Sequence, residues 1–198
     1  MVMIVQEILT HQSEISESSG YSLAGSFTRD LIASKVWLLQ HLESIQCHYS
    51  AMYVLGSWYG NLALFMSLQP TITADLIINV EINPEMLQTS ERILDMSGVD
   101  NVEFMLKDAN DLDYQQLGNS GLVVNTSLTE IPEAEWFEHI PAGTLVAMQA
   151  RDNDPGVKYH DSQDIQRRYP LSKVLYRGSI QLRDPETQYQ RFMIIGRK

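Results

Sequence analysis

From Thr28 onward, Leu31, Ile32, Val36, Leu38, Leu39, Leu42 and Ile45 recur at three- and four-residue steps. That is the spacing of one helix face, and it predicts an amphipathic helix over 28–46. The preceding stretch, with HQSEISESSG in it, is polar and Ser/Glu-rich without a sustained period, and reads as a loosely ordered arm. Beyond the helix, short apolar runs alternate with helical stretches. Strands are expected at 52–55, 76–80, 102–106, 121–125 and 144–149, with helices at 61–68, 84–97, 132–140 and 163–169. The helix after the second strand carries three start signals: Asn83 as N-cap, Pro84 in the first turn and Glu85 near the positive end of the dipole. Gly98 suits its C-terminal cap.

Strands that alternate with helices and are unbroken in apolar character belong in a buried parallel sheet. Two closing strands at 174–180 and 192–195 are separated by too short a connection for a helical crossover, so they should form an antiparallel hairpin. The fold expected is α/β, with no internal repeat and no second domain boundary.

Composition narrows the class. At 198 residues, 44% hydrophobic and 20% charged, the chain can build one substantial core. The single cysteine, Cys47, excludes a disulfide framework or a multi-cysteine metal site within one chain. No apolar run approaches the roughly 18 residues a membrane span requires. The opening Met1–Val5 lacks a basic region and runs into Gln6 and Glu7, unlike a secretory signal. A cytoplasmic protein without membrane association is the expectation.

The net charge of −11 is unevenly spread: residues 1–150 hold four Lys/Arg against nineteen Asp/Glu, and residues 151–198 hold ten against six. The first part is therefore −15 and the second +4. The acidic bulk disfavours binding to phosphate backbones, while the basic tail keeps local anion contact open. Nucleic acid is disfavoured as a partner rather than excluded.

In an open α/β sheet, ligands bind beyond the carboxyl ends of the strands where strand order reverses. Those ends carry a short set of residues. Gly56-Ser57-Trp58-Tyr59-Gly60 follows the first strand, and its glycines allow a tight turn with close backbone approach to a ligand. Glu81 ends the second strand, where a carboxylate can accept from a ribose diol. Lys107-Asp108-Ala109 follows the third, and Asp108 could accept from an exocyclic amine of adenine. Asn125-Thr126-Ser127 ends the fourth. Taken singly, the glycines read first as a turn and Glu81 as a solvated strand end, and Asp108 can simply cap its loop; it is their coincidence at successive strand ends that points to a site.

The ordered set MYVLGSWYG (52–60), NVEINPEML (79–87), VEFMLKDA (102–109) and GLVVNTS (121–127) resembles class I S-adenosylmethionine-dependent methyltransferases. The resemblance implies a three-layer Rossmann-like fold with a mostly parallel seven-stranded sheet and an antiparallel carboxy-terminal hairpin. It covers 48–198 as an S-adenosylmethionine-binding domain and leaves 1–47 as an arm and helix on the lid or substrate side. It implies that Gly56, Ser57, Trp58, Tyr59 and Gly60 hold the methionine part of the cofactor. Glu81 would bind the ribose, Ile82 would flank the adenine, and Asp108 and Ala109 would contact it, with Asn125 nearby. The NTS, YPLSKVLY and RFM segments also resemble small methyltransferase-like proteins common in phage genomes.

The turn departs from the family's pattern, since Ser57, Trp58 and Tyr59 replace its usual middle glycine and the preceding acid is missing. No (D/N)PP(Y/F) ends the fourth strand, which counts against methylation of exocyclic base nitrogens. No Pro-Cys pair is present for cytosine-C5 chemistry, and no GxGxxG for a dinucleotide.

Methyl transfer demands alignment above all, with a base only where the nucleophile arrives protonated. Asn125, Asp152 and His160 are the expected catalytic groups, with Thr126, Ser127, Arg151, Asn153, Asp154 and Tyr159 close in sequence. His48 is expected within reach of the cofactor, His41 on the helix surface, and Tyr21, Phe27 and Arg29 as a lid or as packing. No metal is expected. The acceptor expected is a neutral or cationic small molecule methylated on N or O. The alternatives are RNA, DNA or protein docked on the basic tail, or a non-catalytic cofactor-binding subunit; a homo-oligomer also remains open.

Overall fold

The computed structural model describes residues 23–118, 120–153 and 159–198. The polar arm expected over the first twenty residues, Tyr21 and Asp154 lie outside them. Seven strands form one sheet: β1 (His48–Leu55), β2 (Thr73–Glu81), β3 (Val102–Leu106), β4 (Leu122–Asn125), β5 (Leu145–Arg151), β6 (Lys173–Arg183) and β7 (Gln188–Arg197). Their order is β3-β2-β1-β4-β5-β7-β6. β1 to β5 are parallel, while β7 runs antiparallel to both β5 and β6. This is the Rossmann-like methyltransferase architecture expected from sequence. The chain moves outward from β1 through β2 to β3, then returns to place β4 on the other side of β1. The reversal of strand order therefore falls between β1 and β4.

Alternation along each strand divides the core into two layers. Met52 and Val54 of β1 face one layer, while Ala51, Tyr53 and Leu55 face the other. The first layer is covered by α1 (Arg29–Ile45), α2 (Asn61–Ser67) and α3 (Pro84–Met96), through Leu38, Leu39, Leu42, Leu64, Phe65, Ile93 and Leu94. The second is covered by α4 (Glu135–Glu138) and α5 (Ser162–Arg168), through Trp136, Phe137 and Ile165. Leu38, Leu39 and Leu42 share a cluster with Leu145, Ala147, Met193 and Ile195, so α1 belongs to the same core as the sheet.

Several boundaries differ from the periodicity, each for a local reason. The helix expected over 132–140 contracts to Glu135–Glu138, bracketed by Pro132 and Pro141 and without a side-chain cap at Ala134. The closing strands extend until Arg183 pairs with Gln188. A tight loop joins them, in which Asp184 Oδ1 accepts from Glu186 N at 2.9 Å and Thr187 N at 2.7 Å. Those two N–H groups hold the Asp184 carboxyl below the usual carboxylate range. On α1 the buried face is Asp30, Ser34, Leu38, Leu39 and Leu42, whereas Leu31, Ile32 and Val36 are only half-buried. The helix is thus rotated so that its first half sets polar groups against the sheet. Among the described residues no helix is long and apolar enough to cross a membrane.

Candidate functional site

A cleft of about 610 Å³ opens at the carboxyl ends of the parallel strands, across the β1–β4 reversal. One half is built from the β1, β2 and β3 ends. The turn after β1 begins at Gly56, where a Cβ would lie 3.2 Å from Ser127 Cβ, and ends at Gly60, where one would lie 2.3 Å from Ser90 Oγ. Gly56, Trp58 and Gly60 all adopt left-handed backbone, with φ of 59°, 53° and 73°. Trp58 thus stands at the alternate position where a glycine would carry no strain. Its indole lies against the Tyr59 ring, with centroids 5.1 Å apart, and borders the cleft.

Within this turn Ser57 donates its N–H to Val80 O at 3.0 Å, tying β1's end to β2's. Two buried polar atoms on the cleft wall, Ser57 Oγ and Asn61 Oδ1, have no hydrogen-bond partner among the described residues. Asn61 is held in place by its other end, Nδ2 donating to Ser26 O at 2.7 Å. Buried polar groups are ordinarily satisfied, so orphans that line a cleft suit a polar ligand.

Glu81 ends β2 as a buried carboxylate on the cleft wall. Its Oε2 accepts from Trp58 N at 2.9 Å, and its Oε1 accepts from Ile82 N and Asn83 N, each at 3.0 Å. The side chain therefore fixes both the glycine turn and the entry to α3, whose N-cap Asn83 accepts from Glu85 N and Met86 N as expected. Ile82 is 67% exposed at the cleft mouth. After β3, Asp108 Oδ1 accepts from Asn110 N at 2.9 Å and Asn110 Nδ2 at 3.0 Å, capping the short turn Ala109–Asp111. Asp108 and Ala109 both line the cleft.

The other half is built from the β4, β5 and β7 ends and covered by α1. Lys35 reaches down from α1 and donates from Nζ to Thr126 Oγ1 at 2.7 Å. Arg191 of β7 donates from Nη2 to Thr126 O at 2.7 Å and from Nε to Gln149 Oε1 at 3.4 Å. Ser34 Oγ donates to the same Gln149 oxygen at 2.8 Å, and Tyr189 OH donates to Asp30 Oδ2 at 2.7 Å. The polar face of α1 is thereby pinned to β5 and β7. Burial, with the Arg191 guanidinium adding to it, lowers the Lys35 ammonium from 10.5 to about 7 against a smaller opposing pull from Glu130.

Of the expected cofactor-side residues, Gly56, Ser57, Trp58, Glu81, Ile82, Asp108 and Ala109 line one cleft. Tyr59 and Gly60 do not: Tyr59 is fully buried in the α1–α3 layer, and Gly60 packs against Ser90 at the start of α2. Asn125 is also fully buried beneath the cleft floor, its Oδ1 accepting from Ser127 N at 2.9 Å. Asp152 and His160 lie off the cleft wall. Asp152 exchanges hydrogen bonds with Gln190 where β5 meets β7, and His160 is exposed, its N–H donating to Asp164 Oδ2 at 2.7 Å.

His48 stands at the opposite end of β1, with Nε2 3.4 Å from Asp75 Oδ2, so it does not reach the cleft. His41 stacks on Tyr176 with ring centroids 3.6 Å apart. Phe27 packs edge-on against Phe65 at 6.2 Å rather than closing a lid, and Arg29 is exposed. The residues that strand-end reading missed are Lys35 and Arg191, which lie inside a helix and a strand. A signal existed for Lys35: it falls between Leu31 and Leu38 at helical spacing, a cation within an apolar stripe. Among the described residues no group of His, Cys, Asp or Glu is arranged to hold a metal.

No family model and no curated protein matches the chain by sequence. Solved structures do match. The N-methyltransferase NodS from Bradyrhizobium japonicum WM9, in complex with S-adenosyl-L-homocysteine, is similar with a TM-score of 0.65 at 10% identity, over 98% of each chain. An rRNA methylase from Streptococcus thermophilus is similar with a TM-score of 0.56 at 15% identity, over 87% of this chain and 99% of its own. A SAM-dependent methyltransferase from Aquifex aeolicus gives 0.58 at 11% identity, over 80% of this chain and 88% of its own. The chain has the Rossmann-like fold of the S-adenosylmethionine-dependent methyltransferases.

Proposed function

We propose that this protein transfers a methyl group from S-adenosylmethionine to a nitrogen or oxygen of a small-molecule acceptor held in the cleft. The observation that carries the reading is the pair of orphaned buried atoms, Ser57 Oγ and Asn61 Oδ1, beside the left-handed turn and Glu81. An amino-acid ammonium offers the donors that Asn61 Oδ1 lacks, and its carboxylate offers acceptors for the Ser57 hydroxyl. Glu81 keeps one lone-pair site on Oε2 beyond its three backbone donors, which suits a ribose hydroxyl. Exposed Ile82 offers an apolar face to a purine, and Asp108 keeps a second oxygen for an exocyclic amine. The residues present fit S-adenosylmethionine on these grounds.

The cofactor, when bound, supplies an electrophilic methyl group on a sulfonium. The protein's share is alignment and exclusion of water. The Gly56–Gly60 turn and Glu81 fix one partner of the reaction, while Lys35, Thr126 and Arg191 wall the space for the other. Asn125 contributes by positioning, since it holds the Thr126–Ser127 segment through Ser127 N. A cleft of about 610 Å³ lies within the range of small-molecule sites, roughly 300–1,000 Å³.

Isothermal titration of S-adenosylhomocysteine into wild type and Glu81→Ala tests the reading. Binding that Glu81→Ala weakens at least about tenfold supports it. Indistinguishable titrations would oppose it. Salt-sensitive retention of RNA, lost on Arg167→Glu with Arg168→Glu, would replace the small acceptor by a polymer.

A further inference from the structure

We propose that Lys35, with Arg191 behind it and the Thr126 hydroxyl beside it, binds a carboxylate or phosphate carried by the small-molecule acceptor. The proposal rests on the methyltransferase reading, and it reverses the neutral or cationic acceptor expected from net charge. The −11 of the whole chain does not describe this wall, where Lys35, Arg151 and Arg191 gather from α1, β5 and β7. Glu130 and Glu133, both exposed, border the same cleft from the segment after β4.

Three observations converge on an anion. The Lys35 ammonium has three donors and gives one to Thr126 Oγ1; the other two meet no protein acceptor among the described residues. A half-buried cation on a cleft wall with two donors left over is placed to meet an anionic ligand there. Arg191, only 6% exposed, places a second positive charge nearby, and the two repel. An anion against Lys35 adds attractions to both cations that offset that repulsion. Finally, the pair is held rigidly: Arg191 is anchored on Thr126 O and Gln149, and Gln149 is locked to Ser34 of α1. A preorganised floor of this kind loses little on binding.

Its place also matters. Thr126 follows β4, immediately across the strand reversal from the Gly56 turn, and Gly56 approaches Ser127 closely. An acceptor anchored by its anionic group on Lys35 would extend its nucleophile toward the β1–β4 boundary. Charged groups facing Lys35 are Arg191 from β7 and Glu130 from the loop after β4, with Arg151 of β5 on the same wall.

The test is a lysine-selective ¹³C NMR titration of the full chain, with backbone amide spectra, in the presence of inorganic phosphate or acetate. The Lys35 signal is identified by its loss in Lys35→Met. Either anion should raise the Lys35 midpoint by about one unit or more and shift the Thr126 and Ser127 amides. Lys35→Met should weaken the amide response about tenfold, and Lys35→Arg should restore most of it. The tighter of the two anions identifies the acceptor's group. An unmoved midpoint with unmoved amides would overturn the proposal. So would a tenfold loss of S-adenosylhomocysteine affinity in Lys35→Met, which would assign Lys35 to the cofactor. Failure of wild type to bind S-adenosylhomocysteine while phosphate still moves Lys35 would instead overturn the methyltransferase reading.

Discussion

Lys35 Nζ and Thr126 Oγ1 stand 2.7 Å apart, a single hydrogen bond that fastens α1 to the segment following β4. Both residues line the cleft. The bond also leaves a half-buried ammonium whose charge costs stability in the folded chain.

The cost has a defined pH window. In the unfolded chain Lys35 holds its proton up to about 10.5, whereas in the folded chain it releases it above about 7. Between these values the unfolded state binds more protons, so the Lys35 contribution to stability improves as pH rises. Below about 7 the penalty is complete. Lys35→Met should therefore be more stable than wild type by about 1–3 kcal/mol at pH 6, with the difference vanishing toward pH 10. Urea melts of both proteins across that range check the sign and the window.

Gly60 and Gly98 share left-handed backbone, at φ 73° and 68°, but differ in surroundings. An added Cβ at Gly60 would sit 2.3 Å from Ser90 Oγ, while at Gly98 nothing lies within 4 Å. Gly98→Ala should cost about 1 kcal/mol from backbone strain alone. Gly60→Ala should cost about 3 kcal/mol, since displaced packing adds to the strain. Paired denaturation curves decide this, and equal losses would mean that the Ser90 contact yields freely.

At Trp58 the same strain inverts a common preference. Trp58→Gly should be more stable than Trp58→Ala by about 1 kcal/mol, because the backbone at φ 53° favours glycine. In a helix or strand interior the order would be opposite. Thermal unfolding of the two variants checks it.

Ser57→Ala separates binding from folding. The Ser57 hydroxyl is buried without a partner, so its removal should leave stability unchanged or slightly higher. Affinity for S-adenosylhomocysteine should fall about two- to tenfold, the worth of one hydrogen bond. Calorimetry alongside a melt distinguishes this from a general loss of structure.

The sheet was legible because β1 to β5 are apolar runs at successive intervals, and because strand-end residues follow from strand placement. Ser57, Glu81 and Asp108, named by that route, line the cleft, as does Ile82, which the family resemblance named. Lys35 and Arg191 were not, since tertiary packing alone brings the middle of α1 against β7. Tyr59 does not line the cleft because a turn residue beside a cleft can point into the core, and here it joins Leu62 and Leu64. Asp152 and His160 were credited through nearness in sequence to β5, whereas β7's pairing turns Asp152 onto Gln190. The reach of His48 failed for a simpler reason, as it begins the strand whose far end forms the site.

A crystal structure of the protein with S-adenosylhomocysteine tests the central claim most directly. The account predicts the ligand in the cleft across the β1–β4 reversal, with its amino-acid end on Ser57 and Asn61, its ribose on Glu81 and its adenine between Ile82 and Asp108. A ligand bound elsewhere, or a cleft left empty at saturating S-adenosylhomocysteine, would contradict it.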